Sequence, residues 1–441
     1  MSFSSIFHDI IFTDQYIISQ MKARYQYRVY PTDQQRKLLA QVFGCVRVVF
    51  NDALALCKES KKLPKNSELQ KICITQAKKT KGRQWLKEVS NIPLQQSIAD
   101  LGVAYKNFFE SLSGKRKGKR VGYPRFKKKH NQQSARFRKG GFSIKGNKVY
   151  LAKIGLLKTK WSRELPSEPS SVTIIKDRAN RYFLSFVVDV EPFRSPEFNS
   201  GACGTAHSAP EITSALNESI GIDLGISIFA ALSTQEKVYA PDYRKLERKI
   251  RRTKRVLSRR HKGSKRREQT RIKLAKLTSK LARVRKDFLD KLSTRLIKEN
   301  QIISLEDLNV SGMLKNRKLA RAIQEQGWSM FRTMCEAKGN KYGRDVRIID
   351  RWQPTSQICA DCGYKWGKLD LSVREIVCLR CGKLQCRDSN ASTVVDRIGL
   401  GHSHDGNKWT GNGHKTSVEA IHDELSTRLV VDENGQFCLP I

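Results

Sequence analysis

Two Cys-x-x-Cys pairs, Cys359/Cys362 and Cys378/Cys381, stand fifteen residues apart in a chain of 441. Four thiolates at this spacing can close a tetrahedron around one zinc ion. Gly363 and Gly382, each following a pair, permit the tight knuckle such a site needs. The spacing predicts a zinc site held by these four residues. Four thiolates leave no position for water, so the zinc is expected to be structural and to supply much of the segment's folding energy. The remaining cysteines, Cys45, Cys57, Cys73, Cys203, Cys335, Cys386 and Cys438, read as free thiols in a reducing compartment.

Charge narrows the partner. Lys and Arg number 84 against 42 Asp and Glu, a net charge of +42. Such self-repulsion suits a polyanion. No run of eighteen apolar residues is present, which argues against a membrane span. The opening MSFSSIFHDIIFTD has no basic region ahead of its apolar stretch, as a secretory signal would. Nucleic acid, and no membrane, is the expected partner.

The charge has two addresses. Residues 115–129 (KRKGKRVGYPRFKKK) hold nine Lys/Arg and no acid, and read as a loop or ribbon tracking a phosphate backbone. Residues 244–286 hold twenty-one Lys/Arg against two acids. Here Leu246, Ile250 and Leu257, then Leu274, Leu277, Leu281, Val284, Phe288 and Leu292, recur at helical spacing, and HKGSK interrupts them. The pattern predicts a helical hairpin with a narrow apolar seam and basic outer faces.

Along the rest of the chain, 21–30 alternates like a strand, and 33–60, 66–80 and 92–112 read as helices. Residues 135–190 look β-rich, with strands near 148–152, 172–176 and 181–190. SIGIDLGISIFAAL from 219 predicts an apolar strand carrying one acid, Asp223. QIISLEDL (301–308) predicts a second strand ending at Glu306, and DVRIIDRW (345–352) a third, after a helix near 317–339. CRDSNASTVVDRI opens a last helix at Asp388. A lone buried carboxylate is costly unless it is paired or binds metal. Three acids from separate elements of one sheet could meet around magnesium or manganese and activate water against a phosphodiester. Spacing equally allows each to be a strand-end or cap residue.

Taken in order, IGIDLGI, SLEDLNV and RDSNAS resemble the three RuvC motifs of the TnpB (OrfB) family of insertion sequences, relatives of type V CRISPR effectors. TSQICADCG and VCLRCG resemble that family's zinc ribbon, and YRVYPTDQQ and GYPRFKKK its N-terminal half. The resemblance implies an α/β multidomain chain: an RNase-H-like RuvC nuclease domain with an inserted zinc ribbon, preceded by a β-barrel wedge domain with a helical recognition insert. It maps as an N-terminal extension 1–20, wedge 21–31 and 113–190, helical insert 32–112, linker 191–218, nuclease 219–354 and 383–400, ribbon 355–382, and an acidic tail 401–441, expected to be disordered. His402, His404, His414 and His422 in that tail read as solvated.

The resemblance also implies a metal-dependent DNA endonuclease that pairs a transposon-derived guide RNA with double-stranded DNA and cuts it at one site. Asp223, Glu306 and Asp388 match the catalytic, magnesium-binding acids, and Cys359, Cys362, Cys378 and Cys381 the zinc ligands. A cytoplasmic protein, nucleoid-associated when bound to DNA, is expected. Two positions depart from the family pattern. Cys386 stands where an Asp is usual, and Asn390-Ala391-Ser392 where NAA is frequent. A binding protein without cleavage and a transposase that joins strands itself remain as alternatives. Retention of all three acids weighs against the first.

Overall fold

The computed structural model describes residues 21–60, 62–116, 120–190, 217–370, 372–404 and 408–410. The expected extension 1–20, nearly all of the linker, and the tail from 411, with Cys203, Cys438, His414 and His422, lie outside the described residues. The chain divides into two units. One holds the N-terminal half together with Asp242–Val284, and the other the stretch up to Pro241 and all from Arg285 onward.

In the first unit, β1 (Met21–Val29) runs into α1 (Asp33–Glu59). Thr32 caps α1 in a reciprocal box with Gln35, so two of its orphan amide donors are satisfied. Leu39, Val42, Val46, Val49, Phe50 and Leu54 are buried on one face of α1, as their spacing predicts. By length and composition α1 could cross a bilayer; here that apolar face is core. A short α2 (Asn66–Gln70) and a π-helical turn lead to α3 (Asn91–Leu112), which packs on α1. Then follow β2 (Gln133–Arg138), β3 (Phe142–Lys145), β4 (Lys148–Leu151), β5 (Gly155–Lys160), β6 (Ser171–Lys176) and β7 (Tyr182–Val190).

Strand order is β2-β6-β7-β1-β5-β4-β3, antiparallel throughout. The edge strands β2 and β3 do not pair among the described residues, so the β-barrel expected is present as a curled half-barrel. One core containing Tyr27, Phe137 and Phe186 also takes in Leu54, Leu94 and Leu101. The helical insert therefore shares the sheet's core and is not a separate body.

The second unit is built on β8 (Asn217–Asp223), β9 (Ala230–Leu232) and β10 (Lys237–Val238). The basic hairpin comes next in the chain: α4 (Arg244–Arg259) and α5 (Lys265–Glu299). Arg267 Nη1 closes its turn, donating to the carbonyls of Leu257 (2.6 Å) and Arg260 (2.7 Å). Up to Val284 the hairpin groups with the first unit. After β11 (Asn300–Glu306) come α6 (Val310–Met313), α7 (Ala320–Gln326) and α8 (Trp328–Tyr342). The single helix expected near 317–339 is broken at Gly327, whose φ of +76° ends α7.

Next are β12 (Asp345–Ile349), β13 (Glu375–Val377), β14 (Leu384–Cys386), α9 (Arg387–Gly399), β15 (Ser403–His404) and β16 (Trp409–Thr410). The five-stranded sheet has the order β10-β9-β8-β11-β12; β8 to β10 are antiparallel, and β11 and β12 run parallel to β8. Period-two alternation divides its faces. Ile220, Ile222, Ile303 and Leu305 enter a core with Leu289, Leu296, Trp328 and Phe331. Ser219, Gly221 and Asp223, with Ser304 and Glu306, fall on the opposite face. There α9 lies across β8 and β11.

Candidate functional site

Gly221 is what lets α9 approach. A Cβ there would collide with the backbone carbonyl of Ser392, and one at Gly399 with the Ser304 hydroxyl. Ser392 itself is fully buried. Small residues on both surfaces thus bring the helix down onto the backbone of β8 and β11. The N-terminal turn of α9, bearing Asp388, points toward the carboxyl ends of these strands.

The β8–β11 register pairs Ile222 with Leu305, so Asp223 and Glu306 follow side by side on neighbouring parallel strands. Burial, then the charges of Glu306 and Asp388, push the Asp223 carboxyl up to about 7, against a smaller opposing effect of Arg387. Burial also raises Glu306, while the Thr355 hydroxyl, donating to Glu306 Oε1 at 2.6 Å, works the other way. Arg374 Nη1 lies 3.4 Å from Asp388 Oδ1. Among the described residues neither Asp223 nor Glu306 has an ion-pair partner. Asp223 feels the charges of both other acids, but among the described residues only the cysteine quartet forms a tight cluster of metal-ligating groups.

Cys386 occupies the N-cap position of α9. Burial works to raise its thiol, yet the Ser389 and Asp388 amides and Lys237 together leave it below the ordinary range.

The four cysteines do converge. Cys359 and Cys381 sulfurs are 3.8 Å apart, Cys362 and Cys378 3.5 Å, and all four lie within 4.8 Å of one another. Thiolates about 2.3 Å from a central zinc in a tetrahedron would be separated by about 3.8 Å. Each knuckle repeats one pattern. The Gly363 and Gly382 amides donate to the Cys359 and Cys378 carbonyls at 3.0 and 2.8 Å, with φ of +75° and +69°. Hydrogen bonds, chiefly from the Cys378 thiol, and also from the Cys362 and Asp361 amides and Gln385, hold Cys359 low, at about 5. Donors to a sulfur are what a metal-bound thiolate requires around it. Cys45, Cys57, Cys73 and Cys335 lie outside this cluster; each is buried, and burial raises each.

Three partners were not foreseen from the sequence. Asn390, 3% exposed, accepts from the Ala360 amide and donates to the Ile358 carbonyl, both at 2.7 Å, and so ties the ribbon to α9. Thr355 steadies Glu306, and Arg374 faces Asp388. The expected disordered tail does not begin at 401. β15 and β16 pair with each other, Trp409 Nε1 donates to the Cys359 carbonyl at 3.1 Å, and His404 donates to the Gly363 carbonyl. His404 is thus a ribbon contact and not a solvated residue. The apolar indole of Trp409, whose N–H adds a second donor to the Cys359 carbonyl, explains why this stretch docks.

Comparison with known proteins finds family models over three stretches of the chain. A family model described as "Probable transposase" matches 202–317, one described as a helix-turn-helix domain matches 21–63, and a Cas12f1-like TNB domain matches 328–395. Residues 21–63 form here a strand and one helix, so two helices across a short turn are not what that match describes. A Streptomyces pristinaespiralis protein provisionally named RNA-guided DNA endonuclease is 39% identical over 88% of this chain and 92% of its own length. The Escherichia coli protein InsQ, provisionally named in the same way, is 29% identical over 80% of this chain and 86% of its own. A cryo-EM structure of a Cas12f1–sgRNA–target DNA complex aligns at a TM-score of 0.49 and 12% identity, covering 85% of this chain and 98% of that one. With 39% identity to such a relative over nearly its whole length, the chain belongs to the TnpB (OrfB) family of insertion-sequence proteins.

Proposed function

We propose that this chain is an RNA-guided DNA endonuclease that hydrolyses phosphodiester bonds at one site formed by Asp223, Glu306 and Asp388. One observation carries the catalytic part: the β8–β11 register, which sets two carboxylates side by side at the carboxyl ends of parallel strands. In open sheets such ends, beside the strand where connections change direction, are where ligands bind. Here that strand is β8, with an antiparallel neighbour on one side and a parallel one on the other. This order, with α9 on the acidic face, supports the RNase-H-like, RuvC-type reading of the second unit. The half-barrel with its helices is the counterpart of the wedge and recognition insert.

The acids suit a hard cation. Oxygen donors fit magnesium or manganese, and a carboxyl pushed up to about 7 by burial and then by two neighbouring acids is one whose charge lacks compensation. A divalent ion held by Asp223, Glu306 and Asp388 would polarise the phosphate and activate a water. The chain's own part is positioning. Thr355 orients Glu306, the α9 contact at Gly221 sets the depth of Asp388, and Arg374 offers a guanidinium beside the site for a phosphate oxygen. The cysteine quartet would hold a structural zinc, which fixes the segment leading into α9.

The names of the relatives and the concentrated positive charge support guide RNA and double-stranded target DNA as partners, with the RNA drawn from the transposon end. A protein that delegates sequence reading to RNA needs to hold backbone and A-form shape, which a basic surface does. The test is to sequence the RNA that copurifies with the protein, recode its guide segment, and map cleavage. A discrete RNA whose recoding moves the cut supports the reading. Random RNA with cleavage indifferent to recoding contradicts it. Since one family description reads transposase, the same assay should include a search for joined strands, and none is expected from this chain alone.

A further inference from the structure

Residues 115–129 were expected to track phosphates; to the described part 120–129 the structure adds aromatic rings. It forms neither helix nor strand, yet it is fixed. The Val121 amide donates to Ser111 Oγ at 2.8 Å. Asn51 clamps Lys127 in both directions, donating to its carbonyl at 3.1 Å and accepting from its amide at 2.8 Å. Pro124 is buried, and the Tyr105 and Tyr123 hydroxyls are 2.7 Å apart.

Held in this way, the arm keeps rings in solvent. Phe109 is 51% exposed, Tyr123 41% and Phe126 46%. Phe108 links the first two, with ring centroids 5.3 Å from each. Lys58 Nζ lies 4.6 Å from the Phe126 ring centre and 5.9 Å from that of Tyr123. Arg125, Lys128 and Lys129 are exposed alongside, and the nearby acid Glu110 is engaged by Lys106 at 3.7 Å.

Cations alone would serve any polyanion. Rings left open among cations suit a partner that presents base faces as well as phosphates. A duplex hides its base faces, and an unpaired strand does not. RNA is commonly recognised in unpaired segments stacked on aromatic and arginine side chains, whereas the target DNA arrives as a duplex. We propose that this shelf binds unpaired nucleotides of the RNA partner. Phe109, Tyr123 and Phe126 stack on bases, and the neighbouring cations meet the phosphates. The inference rests on the nucleic-acid part of the function proposed above and assigns it a surface.

The experiment is fluorescence anisotropy of the full chain with a labelled oligoadenylate RNA of about twelve nucleotides, a blunt RNA duplex, and the matching oligodeoxyadenylate. Phe109→Ala/Tyr123→Ala/Phe126→Ala should weaken the single-stranded RNA about tenfold to a hundredfold and leave the duplex within about twofold. Tyr123→Phe/Phe126→Tyr, which keeps the rings, should bind like the parent and so guards against misfolding as the cause. Equal binding by the alanine variant, equal loss with the duplex, or a loss confined to DNA would overturn the assignment. None of these readings needs Asp223. A chain that shows the aromatic dependence but does not cut refutes the nuclease reading and leaves this one standing.

Discussion

Asp396 shows at the scale of one residue how α9 is held to the sheet. Its Oδ2 accepts from Ser219 Oγ at 3.1 Å, while Oδ1 is buried without a hydrogen-bond partner among the described residues. Burial raises its carboxyl, and the hydroxyls of Ser219 and Ser233 only partly oppose this. A folded-state pKa above the unfolded one means that the native chain holds its proton longer. Stability contributed by this group is therefore greatest at low pH and declines as pH rises from the unfolded pKa to the folded one. Asp396→Asn should stabilise the chain at neutral pH by about 1 kcal/mol, with the gain vanishing near pH 4, as followed by thermal melting across pH. At this scale the sequence was partly legible. Asp223 and the cysteine quartet announce themselves, an acid in an apolar run and thiols at a ligand spacing. Thr355, Arg374 and Asn390 do not, because each acts on a partner between 14 and 49 residues away in the chain.

At the scale of elements, the ribbon and α9 form one device. The ribbon's last strand runs directly into α9, and Asn390 returns from the helix to bridge two main-chain groups of the first knuckle. Asn390→Ala would strand the Ala360 amide and the Ile358 carbonyl, costing about 2–4 kcal/mol. Denaturant unfolding reads that loss, and guided cleavage should fall with it. Zinc is expected in stoichiometric amount with the chain by elemental analysis. Cys378→Ser or a strong chelator should remove it and open 355–386 to proteolysis while the half-barrel stays protected. The hairpin α4/α5 was legible because a seam at helical spacing between charged faces has few alternatives. The half-barrel's strand order and its open edge were not. Register and closure depend on pairings between distant strands, such as β1 with β7, which leave no local mark.

The whole molecule is set by charge as much as by core. A net +42 makes association with nucleic acid steeply salt-dependent. On the exposed side of α4, Arg251, Lys254, Arg255 and Arg259 face solvent. If they meet phosphates of a duplex, replacing all four with Gln should flatten the slope of log affinity against log salt by roughly three to four, with little change in melting temperature. An unchanged slope would remove the hairpin from the binding surface.

Asp223, Glu306 and Asp388 are proposed above as the cutting site of an RNA-guided nuclease. That assignment is tested most directly by purifying Asp223→Ala with its RNA and assaying a matched DNA duplex in magnesium and in manganese, with binding and cleavage measured on the same preparation. Target binding like that of the parent is expected, with cleavage reduced at least about a thousandfold. Cleavage undiminished by the substitution would contradict the assignment.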